Sequence, residues 1–258
     1  MKQELVKPIV RVGNSAGVLL PREWLNGRAR VELVEKPTDI KRDVLEILED
    51  YLEDVAGIYL VGSYARNEQT DKSDIDILVI SNDTAKEIVS GKYNVSIARL
   101  ESIKNMLKSY PVMIYPRLLE AKPILNSRLL KELLSCNITK NSFKESIASI
   151  KRVVKINRDF IRLDKDMGEK YSSDSTVYSL TLRLREIFLI KMIMEKKPYS
   201  SKKFKKWVEK NTKDINFDKI YDIYQAVKMN HRIQSRAEVL EAEQLLKLLE
   251  NEMKKYGK

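Results

Sequence analysis

The chain of 258 residues has a single cysteine, Cys136, and a single histidine, His231. One thiol cannot form an internal disulfide, and with no histidine near it in sequence Cys136 reads as a small core residue rather than a nucleophile. No uninterrupted apolar stretch approaches the length needed to cross a bilayer, and Met1-Lys2-Gln3-Glu4 opens the chain without an apolar signal core. A reducing cytoplasm is the expected location and no membrane partner is expected. Glycine (8) and proline (7) are sparse, so each marks a definite break.

Charge, by contrast, is abundant. Lys and Arg number 48 against 37 Asp and Glu, a net +11, which makes a polyanion the first partner to consider. The surplus is unevenly spread. Residues 1–36 carry +3, residues 37–140 carry −2, and residues 141–258, with 27 basic and 17 acidic side chains, carry +10. These ranges are also the expected domains: a small β segment, a central α/β domain and a helical bundle.

In the first segment, Ile9 to Val12 and Val18 to Leu20 flank Gly13-Asn14-Ser15-Ala16-Gly17, a predicted hairpin stopped by Pro21. Pro21 to Leu25 reads as one helical turn, and Arg30 to Glu35 alternates at strand period. So short a piece must pack on something else, and a second copy of itself, which would make a homodimer, is one choice.

Thr38 is the predicted N-cap of a helix with Ile40, Val44, Ile47, Leu48 and Leu52 on one face. A buried strand, Ile58-Tyr59-Leu60-Val61, leads into Gly62-Ser63-Tyr64-Ala65-Arg66, and Asp74-Ile75-Asp76-Ile77-Leu78-Val79-Ile80 forms a second strand. Helical patterns are expected around Asp83 to Val89 and Ile97 to Leu107, then a third strand at Val112-Met113-Ile114-Tyr115. After Asn141 there is no strand pattern and no internal repeat. The stripes Ile147, Ile150, Val154, Ile161, then Val177, Leu180, Leu184, Phe188, then Val239, Leu245, Leu248, Leu249 predict an all-helical bundle.

The chemistry lies in the middle segment. Asp74 and Asp76, two apart on a strand, project from one face, and paired carboxylates repel unless a divalent cation joins them. Hard oxygen donors favour Mg²⁺, which completes its shell with water and phosphate oxygens. Gly62 permits close backbone approach, Ser63 offers a hydroxyl, and Arg66 a forked donor for phosphate. Together these residues suit a nucleoside triphosphate.

Gly62-Ser63, ten intervening residues, then Asp74-Ile75-Asp76 resembles the GS-x10-DxD signature of the nucleotidyltransferase superfamily that includes DNA polymerase β, and more closely its minimal, antitoxin-type branch. The resemblance implies an α/β nucleotidyltransferase core, a mixed sheet with flanking helices, over roughly residues 40–135. It further implies Asp74 and Asp76 as catalytic metal ligands, Gly62, Ser63 and Arg66 as nucleotide-binding residues, Mg²⁺ as cofactor and ATP as donor. The implied acceptor is a tyrosine of a partner protein, an RNA end or a small molecule. The superfamily usually has a third carboxylate on a later strand. The expected strand, Val112 to Tyr115, offers only Met113, so Glu68 and Glu120 are left as nearby proton acceptors and an inactive regulator is the alternative reading.

Two weaker resemblances flank this core. The bundle resembles HEPN-type helical domains, but their ribonuclease signature, Arg then His after four to six residues, is missing, because positions 224–226 are Tyr, Gln and Ala before His231. His231 is expected on the surface at a helix end, and Cys136 in the core. Val12-Gly13-Asn14-Ser15 with Val18-Leu19-Leu20-Pro21 resembles half of an AbrB-type hairpin, which implies DNA contact through Arg11, Arg22, Arg28 and Arg30. Finally, Lys202-Lys203-Phe204-Lys205-Lys206-Trp207 has the makings of a nucleic-acid strip. Equally, Phe204 and Trp207, three apart, make a buried helix face that leaves the lysines solvated.

Overall fold

The structure, a computed structural model, describes residues 4–32, 39–71, 73–213 and 215–256. It divides into two compact units, residues 1–40 and 41–258. The first contains the hairpin of β1 (Ile9–Val12) and β2 (Ser15–Val18), paired antiparallel from Val12 with Ser15 to Ile9 with Val18. The reversal is tighter than expected: Gly13, at φ 58°, and Asn14 make the turn alone, and Leu19 and Leu20 fall outside the strand. Arg22–Trp24 forms the expected single helical turn just after Pro21. Residues 30–32 are irregular, while Leu33 to Glu35 and the N-cap position Thr38 lie outside the described residues.

The second unit is built on a five-stranded mixed sheet. In chain order come α1 (Ile40–Ile47), β3 (Val55–Val61), α2 (Gly62–Arg66), β4 (Ile75–Ser81), β5 (Lys86–Ser90), β6 (Tyr93–Arg99), α3 (Leu100–Ser109), α4 (Pro111–Glu120), β7 (Lys122–Leu125) and α5 (Ser127–Leu134). Across the sheet the order is β5, β6, β4, β3, β7. Only the β4 and β6 pair is parallel. Central β4 is covered on both faces, with Ile75, Ile77, Leu78, Val79 and Ile80 all buried, which is why its sequence is apolar almost without alternation. At its far end the Asp54 carboxylate accepts the backbone N–H groups of Asn82 (3.2 Å), Asp83 (3.0 Å) and Thr84 (2.8 Å).

Two sequence expectations are corrected. Asp83 to Val89 is not helical: β5 is an edge strand, and Gly91, at φ 57°, turns the chain into β6, where Tyr93, Val95 and Ile97 alternate into the core. Exposed Lys86 and Glu87 on that edge masked the period of two. Val112 to Tyr115 is not a strand but the start of α4, a helix with Val112, Ile114, Tyr115 and Leu118 buried. A four-residue apolar run fits either element, and Pro111 at the first helical position decides for the helix.

The remainder is helical, as the apolar stripes indicated: α6 (Lys144–Asp166), α7 (Asp174–Met194), α8 (Ser201–Asn211), α9 (Phe217–Lys228) and α10 (Val239–Met253). Among the described residues, no strand occurs beyond residue 140 and no helix is long and apolar enough to cross a membrane. Sheet and helices share one apolar core, running from Tyr59 and Ile80 through Ile114 and Phe143 to Leu184, Phe204 and Leu245.

Candidate active site

The site begins where β3 ends. Val61 is opposite Asp76 across the antiparallel β3 and β4 pair, so the turn that follows Val61 lies beside the head of β4. Gly62 adopts φ 72°, a left-handed conformation disfavoured for residues with a side chain. A Cβ there would also collide with the Asp76 carboxylate, because that carboxylate fills the volume the missing side chain leaves. Glycine is therefore required twice over. α2 lasts little more than one turn: Asn67, at φ 55°, caps it, and Glu68 N–H donates to the Ser63 carbonyl at 2.9 Å. The Ser63 side chain is half-buried, and its hydroxyl has no hydrogen-bond partner among the described residues.

Asp74 is exposed just ahead of β4, and Asp76, second in the strand, is half-buried. Burial pushes the Asp76 carboxyl above its ordinary range; Arg117 opposes this, Asp74 adds to it, and Arg66 and Lys228 oppose it more weakly. A half-buried carboxylate beside another, with cations around them, suits a site that gathers a divalent cation and phosphates. Two hard oxygen donors, one of them on exposed Asp74, fit Mg²⁺, whose remaining positions would go to water and substrate oxygens.

The third-carboxylate question now has a different address. The strand beside β4 is β6, with Asn94 in register with Asp76 and Ser96 with Leu78. Asn94, not Met113, stands next to the pair; Met113 is an exposed residue of α4. β6 carries no acid, and among the described residues no group of three His, Cys, Asp or Glu side chains is placed to hold a metal.

Glu120, Arg66 and Glu68 are bound to one another. Glu120 accepts the Gly62 N–H at 2.8 Å on one oxygen and Arg66 Nη1 at 2.7 Å on the other, with its side chain only 6% exposed. Arg66 Nε donates to Glu68 at 3.0 Å, and the other Glu68 oxygen accepts the Ser200 hydroxyl at 2.7 Å. Burial raises the Glu120 carboxyl in spite of Arg66 and the Gly62 N–H. Burial also acts upward on Glu68, but the hydrogen bonds from Ser200 and Arg66 outweigh it and hold that carboxyl below its ordinary range. Both acids are thus engaged on both oxygens, and this chain of contacts braces the Gly-Ser turn.

Arg117 and Lys228 are the residues that sequence reasoning missed. Arg117 lies three before Glu120 in α4, and Lys228 ends α9, yet both act electrostatically on Asp76. The signal for Arg117 was legible only once α4 was read as a helix, since Arg117 and Glu120 are its two charges and share a face. Behind Arg66, the Tyr199 ring lies 5.7 Å from its guanidinium and 5.1 Å from that of Arg185, which donates to the Tyr224 hydroxyl at 3.2 Å. His231 is exposed just past the end of α9, its N–H donating to the Ala226 carbonyl at 2.8 Å, and Cys136 packs partly buried against the core.

With this geometry in view, comparison with known proteins is informative for one part of the chain. No curated protein matches it. A spectinomycin adenyltransferase from Enterococcus faecialis, solved with ATP and spectinomycin, aligns at 14% identity and a TM-score of 0.43, covering 86% of this chain and 100% of that one. A nucleotidyltransferase-like protein from Exiguobacterium sibiricum 255-15 aligns at 14% identity and a TM-score of 0.40, covering 84% and 75%. Residues 41–136, which include the whole Gly62 to Asp76 turn and all five strands of the mixed sheet, match the family model of the nucleotidyltransferase domain.

Proposed function

We propose that the protein transfers a nucleoside monophosphate, AMP from ATP, to a hydroxyl of a protein or RNA acceptor. The acceptor oxygen attacks the α-phosphorus, the bond to the β-phosphate oxygen breaks, and pyrophosphate leaves while the hydroxyl proton passes to solvent. The observation that carries this reading is the seating of the Asp76 carboxylate in the space left by Gly62, which unites the Gly-Ser turn with the acid pair. Mg²⁺ held by Asp74 and Asp76 would supply neutralisation of the charge on the phosphates.

Each residue has a distinct task in this scheme. The Ser63 hydroxyl, unpartnered among the described residues, reaches for a phosphate oxygen. Gly62 contributes space more than a donor, because its N–H belongs to Glu120. Arg66 supports the phosphate site through Glu120 and Glu68, and Arg117 and Lys228, the cations that act on Asp76, would meet the triphosphate. Neither glutamate acts as proton acceptor, since both are engaged by hydrogen bonds.

The carboxamide at Asn94 favours a second reading, a regulator of this fold that binds nucleotide or a partner toxin without transfer, its AbrB-like hairpin contacting DNA. One assay separates the two. Purified protein is incubated with Mg²⁺, α-labelled ATP and candidate acceptors, beside an Asp74→Ala, Asp76→Ala variant. Label on an acceptor that disappears in the variant supports the transferase; binding of ATP with no label on any acceptor leaves the regulator.

A further inference from the structure

α8 has two unlike faces. Phe204, Trp207 and Val208 are buried, and Phe204 and Trp207 pack with Phe188 at ring distances of 5.5 and 5.2 Å, so neither ring is available to a base. Lys202, Lys203, Lys206 and Lys210 are exposed on the remainder. Lys202, Lys206 and Lys210 recur at one helical turn, ~6 Å apart. None of the four has an acidic partner among the described residues, whereas Lys205 between them is paired with Asp218 at 2.5 Å and with Glu209.

Two features say that this row is not merely a solvated face. Lys202 and Lys203 occupy the first turn of α8, which has no acid in it, although the positive end of a helix dipole disfavours cations there. Helix stability is not what places them. Moreover, the row starts at the candidate active site: Ser200, the N-cap of α8, accepts the Lys203 N–H at 3.4 Å and donates to Glu68, which holds Arg66 of the Gly-Ser turn.

We infer that the lysine face of α8 is a docking track for single-stranded nucleic acid, and that it leads the terminal ribose hydroxyl of the strand to the site as acceptor. This rests on the transferase reading and deepens it by naming the acceptor class. A regular row of single charges answers the repeat of a phosphate backbone. A protein partner would need an apolar or aromatic anchor, and the exposed positions of this face supply none. Since Phe204 and Trp207 are buried, recognition goes through phosphates alone and is independent of base sequence.

Docking is tested apart from transfer. The full chain is titrated into a dye-labelled 20-nucleotide single-stranded RNA, with anisotropy read between 50 and 200 mM KCl. The wild type is compared with K202Q/K203Q/K206Q/K210Q and with a control, K108Q/K131Q/K151Q/K155Q, which removes four exposed lysines elsewhere. Four phosphate contacts on a single strand contribute about 3 to the slope of log affinity against log salt, or about 50-fold over this range. The α8 variant should lose that dependence and the control keep it. Equal loss in both, or loss in neither, overturns the proposal, as does wild-type binding confined to an acidic polypeptide. The Asp74→Ala, Asp76→Ala variant should lose label transfer yet keep the salt slope that depends on the α8 lysines, so that failure of the track and failure of the transferase reading give different results.

Discussion

Replacing Glu120 separates the two jobs its carboxylate performs. In Glu120→Ala the Gly62 N–H loses its acceptor inside the protein, which costs about 1–3 kcal/mol, and Arg66 loses one of its two charged partners, worth about 1.5–3 kcal/mol. Part of this is returned, because a carboxyl raised by burial no longer has to be desolvated. A net loss of about 2–4 kcal/mol follows, a large share of the ~5–15 kcal/mol that stabilises a typical domain. Glu120→Gln keeps an oxygen for Gly62 and gives up only the charge, so about 1–2 kcal/mol is expected. Urea unfolding at pH 7 measures both. At urea concentrations where each variant is folded, label transfer should fall more in the alanine variant, whose Gly62 turn is no longer held beside Asp76. Equal losses in the two variants, or a loss below about 0.5 kcal/mol in either, would refute the claim that Glu120 braces this turn.

Other expectations follow from the same geometry. Gly62→Ala adds a side chain where φ is 72° and Asp76 already stands, so label transfer should drop by about 100-fold or more, as misplacement of a reacting group by ~1 Å implies; a drop below threefold contradicts the packing. Glu68 has a folded pKa below its ordinary 4.5, so it contributes stability at pH values above that figure which is lost as pH falls through the folded value. Urea midpoints at pH 7, 5, 4 and 3 should therefore show Glu68→Gln less stable than the wild type at pH 7, with the gap narrowing as pH falls below 4.5, and a gap independent of pH would count against the hydrogen bonds from Ser200 and Arg66. Asn94→Asp sets a third carboxylate in register with Asp76 and should cost about 1–3 kcal/mol by like-charge repulsion without divalent cations, with Mg²⁺ restoring more of the loss than it adds to the wild type. Melting temperatures with and without Mg²⁺ test this, and an identical Mg²⁺ response in the two proteins defeats it.

What could be read in the sequence was what lies close together along it. The apolar runs Ile58 to Val61 and Ile75 to Ile80 are short and are bounded by Gly57, Gly62 and the polar stretch up to Ser73, and the acids at the head of β4 follow the Gly-Ser turn by ten residues. The helical stripes after residue 140 were legible because each repeats over several turns, as Ile147, Ile150, Val154 and Ile161 do in α6. The neighbour of β4 was not legible, since β6 follows an exposed edge strand and Val112 to Tyr115 has too few residues to declare its period. Arg117 and Lys228 were hidden for another reason. Nothing local marks a cation 41 or 152 positions beyond Asp76 as its neighbour, and only the packed core brings α4 and the end of α9 to the sheet. The basic tract in α8 was half legible: spacing foretold that Phe204 and Trp207 share a buried face, but not that Ser200 ties the helix to Glu68.

That tie has a consequence for how the protein is made. Ribosomes deliver the sheet first, and a nascent chain that has just completed β7 already owns Gly62, Asp74, Asp76 and Glu120. It lacks Ser200 to hold Glu68 and Lys228 to offset the acid pair. The contacts around the Gly-Ser turn are therefore completed late in synthesis, only once α8 and α9 have been made.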